Sequence, residues 1–420
     1  MSFDEALSYL LSLGHETLTI KLGLRNTEIL LSALGDPQQK FPSVQIAGTN
    51  GKGSTAVMLD SICRAAGIRT GLFTSPHLIS ITERIKIAGE QISQEDFARF
   101  TSQAKRTAAR LVKEGRLETP PTFFEHVTAI ALLAFREAKV ELAILETGLG
   151  GRLDSTTAAG ADIVAITPID MDHEEYLGDT LAEIAAEKAA IIRPGVTAVV
   201  APQIEAAMKV IIRQSEHAGV SPRFDQGTLP NSFKNIEIGL RGRHQIANTS
   251  TAIALAEAIG ERGFAITREA IIRGVKTATH PGRLELWKGP PAILFDGAHN
   301  PAAARALRDY LDEFVTQPIT MIFAAMRDKA LPEMAEILFP RADELILTSL
   351  DNPRAATVEM LMTAMPVGFD KAVRLASSVV EALQLAREAT PPDGLICVTG
   401  SLYLVGAVQE LLSRRAAKNL

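Results

Sequence analysis

The stretch VQIAGTNGKGSTAVML, Val44–Leu59, decides how the chain is read. Apolar strand text runs into a glycine-rich turn, and the turn runs into helical text. Gly48 and Gly51 let the backbone turn tightly, and Lys52 offers a point charge. A helix opening near Ser54 would aim its first N–H groups and its dipole at an anion. The usual phosphate loop reads G-x-x-x-x-G-K-[ST]. Here position 46 is Ile46, and Gly53 separates Lys52 from Ser54, so the pattern fails while its physics survives. Asn50, Gly51, Lys52, Gly53 and Ser54 are therefore expected to hold nucleotide phosphate. The plainer alternative is a glycine turn followed by an exposed lysine.

Outward from this stretch, short Val-, Ile- and Leu-rich runs alternate with helical patterns. VELAILETG, ADIVAITPI and VTAVVAP read as buried strands; LAEIAAEKAAII and IANTSTAIALAEAIGE read as helices. Such alternation predicts βαβ units and a parallel sheet covered on both faces. A boundary is expected at HPGRLELWKGPPAIL, His280–Leu294, which carries three prolines and the only tryptophan. After it the pattern restarts with four strand-like runs, AILFDGAHN, PITMIFAAM, ELILTS and GLICVTGS. The fold class is α/β: a larger phosphate-loop domain over residues 1–285 and a smaller Rossmann-like domain over residues 292–420.

Composition narrows the function. The 420 residues are 46% hydrophobic, enough for sizeable cores, and the formal net charge is −6 with no long basic run, which argues against a nucleic-acid partner. The two cysteines, Cys63 and Cys397, fit no metal spacing and suggest buried thiols in a reducing compartment. The opening stretch carries acids and no basic segment, so an amphipathic helix is expected there rather than a signal peptide. No apolar run approaches the roughly 18 residues of a membrane span. A cytoplasmic monomer acting on small molecules is expected.

GTNGKGS resembles the phosphate loop of the Mur-ligase superfamily. Within it, the chain resembles the folylpolyglutamate synthase and dihydrofolate synthase family along nearly its whole length. The matching blocks are KLGLRNTEILLSALG, TSPHLISITERIKIAG, PTFFEHVTAIAL, ETGLGGRLDST, MDHEEYLGDTLAEIAAEKAAII, GRHQIANTSTAIA, HPGRLE, DGAHNPAA and TGSLYLVG. The resemblance implies ATP-driven amide formation between a folate-type carboxylate and L-glutamate. A carboxylate is a poor acylating agent, so the γ-phosphoryl group of ATP would first make it an acyl phosphate, with Mg²⁺ neutralising phosphate charge. A Mur ligase acting on a cell-wall precursor would need a nucleotide-sugar domain before the loop, and only a helix or two fits before Gly48. A non-catalytic nucleotide-binding module is the other alternative; it would not need Glu146, His173 and Lys188 together.

Glu146 closes the apolar run VELAILE, where ligands bind in open α/β sheets, and is the leading metal ligand. A carboxylate capping the next turn is its alternative. The resemblance adds His173 and Ser75 as metal ligands, against a loop histidine and a turn residue before Pro76. Lys188, from the residues alone, reads as a solvated lysine paired with Glu183 or Glu187. The resemblance implies instead a lysine carbamylated by CO₂, whose anionic oxygens would serve two Mg²⁺ ions. It makes Lys52, Lys188 and His173 the catalytic group. Asn248, Arg283, Asp296 and His299 are implied nucleotide contacts, half of the site falling on each domain. For the acceptor it implies Thr122, Phe123, Phe124, Glu125, Leu153, Asp154 and Ser155, closed by Ile20, Lys21 and Leu22. A hydrophobic staple with core aromatics is the alternative for the Thr122 segment. Some bifunctional members carry an acid where Lys21 stands, so the resemblance implies glutamate extension more directly than the dihydropteroate reaction.

Overall fold

Every residue of the strand that feeds the glycine turn is buried, as a central parallel strand requires. In the computed structural model, which describes residues 1–14 and 23–418, this strand is β1 (Ser43–Ala47). It lies in an eight-stranded sheet ordered β4 (Glu90–Gln91), β3 (Ile85–Ile87), β2 (Thr70–Phe73), β5 (Leu142–Glu146), β1, β6 (Ile163–Ile166), β7 (Thr197–Val200), β8 (Arg223–Phe224). From β2 to β8 every pairing is parallel; β3 and β4 run antiparallel at one edge. Central pairing explains the apolar runs: LAILE of β5 and IVAI of β6 are buried throughout.

Helices clothe the sheet. They are α1 (Phe3–Ser12), α2 (Arg25–Ala33), α3 (Lys52–Ala65), α4 (Gln94–Lys113), α5 (Phe123–Glu137), α6 (Glu174–Leu177), α7 (Leu181–Ala189), α8 (Glu205–Ala218), α9 (His244–Glu261) and α10 (Arg268–Thr277). On one face, Ile184, Ala185 and Ala189 of α7 and Ala207 and Ile211 of α8 pack with Ala47, Val164, Ile166 and Val200. Among the described residues no helix is long and apolar enough to cross a membrane.

A second sheet is ordered β13 (Ala372–Ala376), β12 (Glu344–Thr348), β11 (Ile319–Phe323), β14 (Leu395–Thr399), β10 (Ala292–Phe295), β9 (Glu285–Trp287), parallel except for β9. Its helices are α11 (Pro301–Phe314), α12 (Leu331–Leu338), α13 (Val358–Thr363), α14 (Val379–Ala389) and α15 (Leu402–Lys418). Leu307, Leu311, Met334 and Leu338 cover one face; Ala382, Leu383, Leu404 and Val405 cover the other. Contacts group the chain into two units: Met1–Pro76, Thr82–Gly239 and Ile246–Ala278 in the first, and His77–Ile81, Leu240–Gln245 and Thr279–Leu420 in the second.

The structure corrects two readings. α3 opens at Lys52, not near Ser54, because Gly51 takes a left-handed φ of 85° and serves as the N-cap. The second sheet has six strands, not four. β9 is a short strand within the proline-bearing boundary, and β13 is a largely exposed edge strand with no buried run to mark it.

Close packing of α10 on α3 rests on Gly274. A Cβ there would lie 2.4 Å from Ile62 Cα and 2.5 Å from Ile62 N, against backbone that cannot yield. Gly274→Ala is therefore expected to destabilise the first unit by at least about 1–3 kcal/mol. Gly260, near the end of α9, has nothing within 4 Å of its would-be Cβ, so Gly260→Ala should stabilise by up to about 1 kcal/mol. Urea unfolding midpoints of the two variants check both signs.

Candidate active site

The loop between β1 and α3 is seated against the segment after β6. A Cβ at Gly48, whose φ is 147°, would lie 1.9 Å from Thr167 Oγ1; one at Gly51 would lie 2.3 Å from Asn248 Oδ1. Only glycine fits either position. The Thr49 and Asn50 amides donate to the Pro168 carbonyl at 3.0 and 3.1 Å, and the Thr49 hydroxyl donates to the Asp170 carbonyl at 3.0 Å. Gln203, after β7, braces the far side: its amide nitrogen reaches the Thr167 and Ala201 carbonyls, and its oxygen accepts from Ile169 N at 3.0 Å. No side chain caps α3. Its first turn therefore presents N–H groups and the positive end of its dipole at the loop, as anion binding needs.

Two lysines converge on this turn. Lys52 Nζ donates to the Gly48 and Thr49 carbonyls at 3.1 and 3.0 Å, and Lys188 Nζ donates to the same Gly48 carbonyl at 2.9 Å. Lys188 is buried, only 4% exposed, which overturns its reading as a solvated lysine. Its supposed partners are engaged elsewhere: Glu187 pairs with Arg152 at 2.7 Å, and Glu183 closes a capping box with Thr180. Burial, with Lys52 beside it, pushes the Lys188 amine down to about 7, against the opposing pull of Asp172, Asp154 and Glu187.

Glu146 ends β5 with only 5% of its surface exposed, and its Oε2 accepts from the Ser75 backbone N–H at 3.1 Å. That contact joins two of the three expected metal ligands through a main-chain donor. His173 is the N-cap of α6, with φ 55° and its Nε2 3.9 Å from Asp172 Oδ2. Among the described residues no three His, Cys, Asp or Glu side chains form a cluster that could hold a metal. The protein donors at hand, a carboxylate, hydroxyls and one imidazole, suit a cation that keeps water and phosphate oxygens in its shell, as Mg²⁺ does.

Thr122 and Glu125 form a capping box at the start of α5, and Glu125 Oε1 also accepts from Thr27 of α2 at 3.2 Å. Phe123 is buried. The Phe124 ring lies over Gly148, where a Cβ would come within 2.4 Å of it, and 5.8 Å from the Phe73 ring. The Asp154 carboxylate is committed to its own loop: Oδ2 accepts from Gly148 N and Leu149 N, and Oδ1 accepts from Thr156 N and the Thr156 hydroxyl. Burial pushes its carboxyl up, and those donors oppose the shift. Ser155 shares a hydroxyl contact of 2.6 Å with Thr128 of α5, and Leu153 is half-buried. Ile20, Lys21 and Leu22 lie outside the described residues.

Asn248 belongs to the first unit, while Arg283, Asp296 and His299 belong to the second. There, Asp296 is buried and accepts from Leu284 N and Ala298 N at 2.9 and 3.0 Å. Desolvation raises its pKa against the nearby Arg283. His299 Nδ1 donates to the Gly297 carbonyl at 2.8 Å. His244, beside Arg283, is pushed down to about 4, first by burial and then by that guanidinium.

Sequence reasoning missed Gln45, Thr49, Thr167 and Gln203. Thr49, Thr167 and Gln203 brace the phosphate loop and its neighbouring segment, and Gln45 contacts the threonines after β5, through interactions that leave little chemical signature in the sequence. A polar residue inside an all-buried strand, as at Gln45, was the one usable signal.

A Mur ligase middle domain model matches residues 46–256, and a Mur ligase glutamate ligase domain model matches residues 282–402. The chain is 33% identical to the dihydrofolate synthase/folylpolyglutamate synthase of Bacillus subtilis, over 94% of this chain and 95% of that one. It is 34% identical, over 99% of its length, to a probable bifunctional folylpolyglutamate synthase/dihydropteroate synthase of Haloferax volcanii, of which it spans 51%, about half. Among solved structures, the Mycobacterium tuberculosis folylpolyglutamate synthase complexed with ADP superposes with a TM-score of 0.89, at 32% identity over 98% of this chain and 99% of that one. A bifunctional folylpolyglutamate synthase/dihydrofolate synthase with Mn, AMPPNP and L-glutamate bound gives 0.84, at 29% identity over 98% of both chains. Matched by family models over residues 46–256 and 282–402, and over nearly its whole length by the Bacillus subtilis and Mycobacterium tuberculosis relatives, the chain belongs to the Mur ligase family, in its group of folylpolyglutamate and dihydrofolate synthases.

Proposed function

We propose that this protein uses ATP to activate the carboxylate of a folate-type acceptor and joins it to the amine of L-glutamate. The observation that carries the reading is the convergence of Lys52 and Lys188 on the Gly48 carbonyl, inside a phosphate loop at the carboxyl edge of a parallel sheet. Support comes from the ligands of its relatives: ADP in one solved structure, and Mn, AMPPNP and L-glutamate in another.

The residues have distinct tasks. The first turn of α3 and Lys52 bind the phosphate chain and hold its charge. An oxygen of the acceptor carboxylate forms a bond to the γ-phosphorus as the bond from that phosphorus to the β–γ bridging oxygen breaks. The glutamate amine then attacks the acyl carbon, phosphate leaves with the former carboxylate oxygen, and the amine gives up a proton. Mg²⁺, when bound, would neutralise phosphate oxygens. Glu146, Ser75 and His173 are proposed to hold it, and two ions are proposed for the full site. Phe124 and the capped start of α5 offer a face for a flat heterocycle.

Lys188 is proposed to act as a carbamate. Its neutral amine attacks CO₂, a C–N bond forms, and one proton leaves to solvent. Burial first, and then the neighbouring Lys52, destabilise the ammonium form and so leave the amine neutral enough to react; the carbamate would set an anion beside Lys52. The amine is neutral above about 7 and protonated below it. Activity should therefore depend on added bicarbonate more strongly at acid than at alkaline pH.

Phosphate release from ATP, with Mg²⁺ and glutamate, tests the reading directly. Turnover with tetrahydrofolate is expected, and turnover with dihydropteroate would add the dihydrofolate synthase reaction. No turnover with either would overturn the assignment. Glu146→Gln is expected to lower kcat by about 10²–10³-fold. Lys188→Ala should lose a similar factor and recover in part with short carboxylates such as acetate. Full activity in unsupplemented Lys188→Ala would rule out the carbamate.

A further inference from the structure

Gln45 is buried at the centre of β1 and has no part in the chemistry above. Its Nε2 lies 2.7 Å from Thr157 Oγ1, 3.1 Å from Thr156 Oγ1 and 3.2 Å from Thr147 Oγ1. The hydroxyl protons fix which way the amide faces. Thr156 gives its proton to Asp154 Oδ1 and Thr157 gives its proton to the Gly151 carbonyl at 2.6 Å. Both hydroxyl oxygens are left to accept, so the amide nitrogen must face them. The other end, Gln45 Oε1, is buried without a partner. An unpaired buried amide oxygen is costly, and an apolar side chain of the same shape would avoid that cost. The donor end must supply what such a side chain could not.

The threonines lead to α7. Gly151 packs against its last turn so closely that a Cβ would lie 2.8 Å from the Glu187 carbonyl and 3.0 Å from the Lys188 carbonyl. Arg152 N donates to the same Glu187 carbonyl at 2.8 Å. Lys188 Nζ closes the circuit on the Gly48 carbonyl, three residues beyond Gln45. One ring of contacts thus runs from Gln45 through Thr157, Gly151 and Lys188 to Gly48.

We infer that Gln45 is a positioning residue: through Thr157 and Gly151 it holds the turn bearing Lys188 in register with the phosphate loop. The inference rests on the proposed role of Lys188. Thr147, the longest of the three contacts, lies outside the ring. The mechanical prediction therefore separates two threonines that touch the same amide.

The test compares Gln45→Met, Thr157→Val and Thr147→Val in the full chain. Steady-state kinetics give kcat, acceptor KM and the Mg²⁺ concentration for half-maximal rate. Amide hydrogen exchange is followed over residues 181–192. Gln45→Met and Thr157→Val should each lower kcat and raise the Mg²⁺ requirement by about tenfold, speed exchange over 187–192, and change acceptor KM less than about twofold. Thr147→Val should stay within about twofold of the parent on every measure. A purely structural role would lower melting temperature while leaving kcat and Mg²⁺ dependence per folded molecule unchanged, and that result overturns the inference. So does a Thr147→Val variant that matches Thr157→Val. Should Gln45→Met fail to fold, the two threonine variants decide. Should the parent show no turnover, the ligase reading fails; the inference then stands or falls on exchange over 187–192 alone.

Discussion

One carbonyl oxygen, that of Gly48, accepts from two lysines, and the site is arranged around that fact. Two ammonium groups at hydrogen-bond distance from one atom repel each other, and burial of Lys188 makes the repulsion stronger. Asp172, Asp154 and Glu187 offset part of that repulsion, and it eases further if negative charge arrives or one lysine surrenders its own. Nucleotide phosphate would supply the first remedy, and a neutral or carbamylated Lys188, as proposed above, would supply the second. The first unit is thus built with an electrostatic deficit that the proposed ligands would fill. The deficit has a structural price, met by the sheet: β1 and β6, both buried, hold the Gly48 turn against Thr167 and Pro168.

Steric limits reinforce the charge argument. Gly48 and Gly51 are hemmed in by Thr167 and Asn248, and Gly151 by the last turn of α7. At Gly48 and Gly151 the missing side chain lets backbone approach backbone, and at Gly51 it makes room for the Asn248 amide. The loop after β1, the loop after β5 and the end of α7 are therefore locked together, with Glu146 and Lys188 on the locked pieces. Polar side chains finish the work: Gln203 and Asp154 satisfy loop N–H and carbonyl groups, and Gln45 donates to threonine hydroxyls after β5.

Much of this was legible before any coordinates. β1, the glycine turn and α3 follow from apolar run, glycine spacing and helical text, and Glu146 follows from its place at the end of a buried strand. Other features were hidden for physical reasons. The spacing of Glu183, Glu187 and Lys188 on one helix suggests surface ion pairs, yet capping and Arg152 take both acids and leave the lysine to the core. Asp154 looks like a pocket residue because it follows three glycines of TGLGGR, but its carboxylate is consumed by local N–H groups. Edge strands β9 and β13 lack the buried runs that mark the central strands. Long-range contacts such as Lys188 to Gly48, 140 residues apart, cannot be read from periodicity at all.

The central claim is that the phosphate loop serves acyl phosphate formation rather than simple ATP hydrolysis. It is tested most directly by labelling the acceptor carboxylate with ¹⁸O and analysing the released phosphate by mass spectrometry. The account predicts that one labelled oxygen moves from acceptor to phosphate for each amide bond formed. Phosphate released without label, alongside amide product, would contradict it.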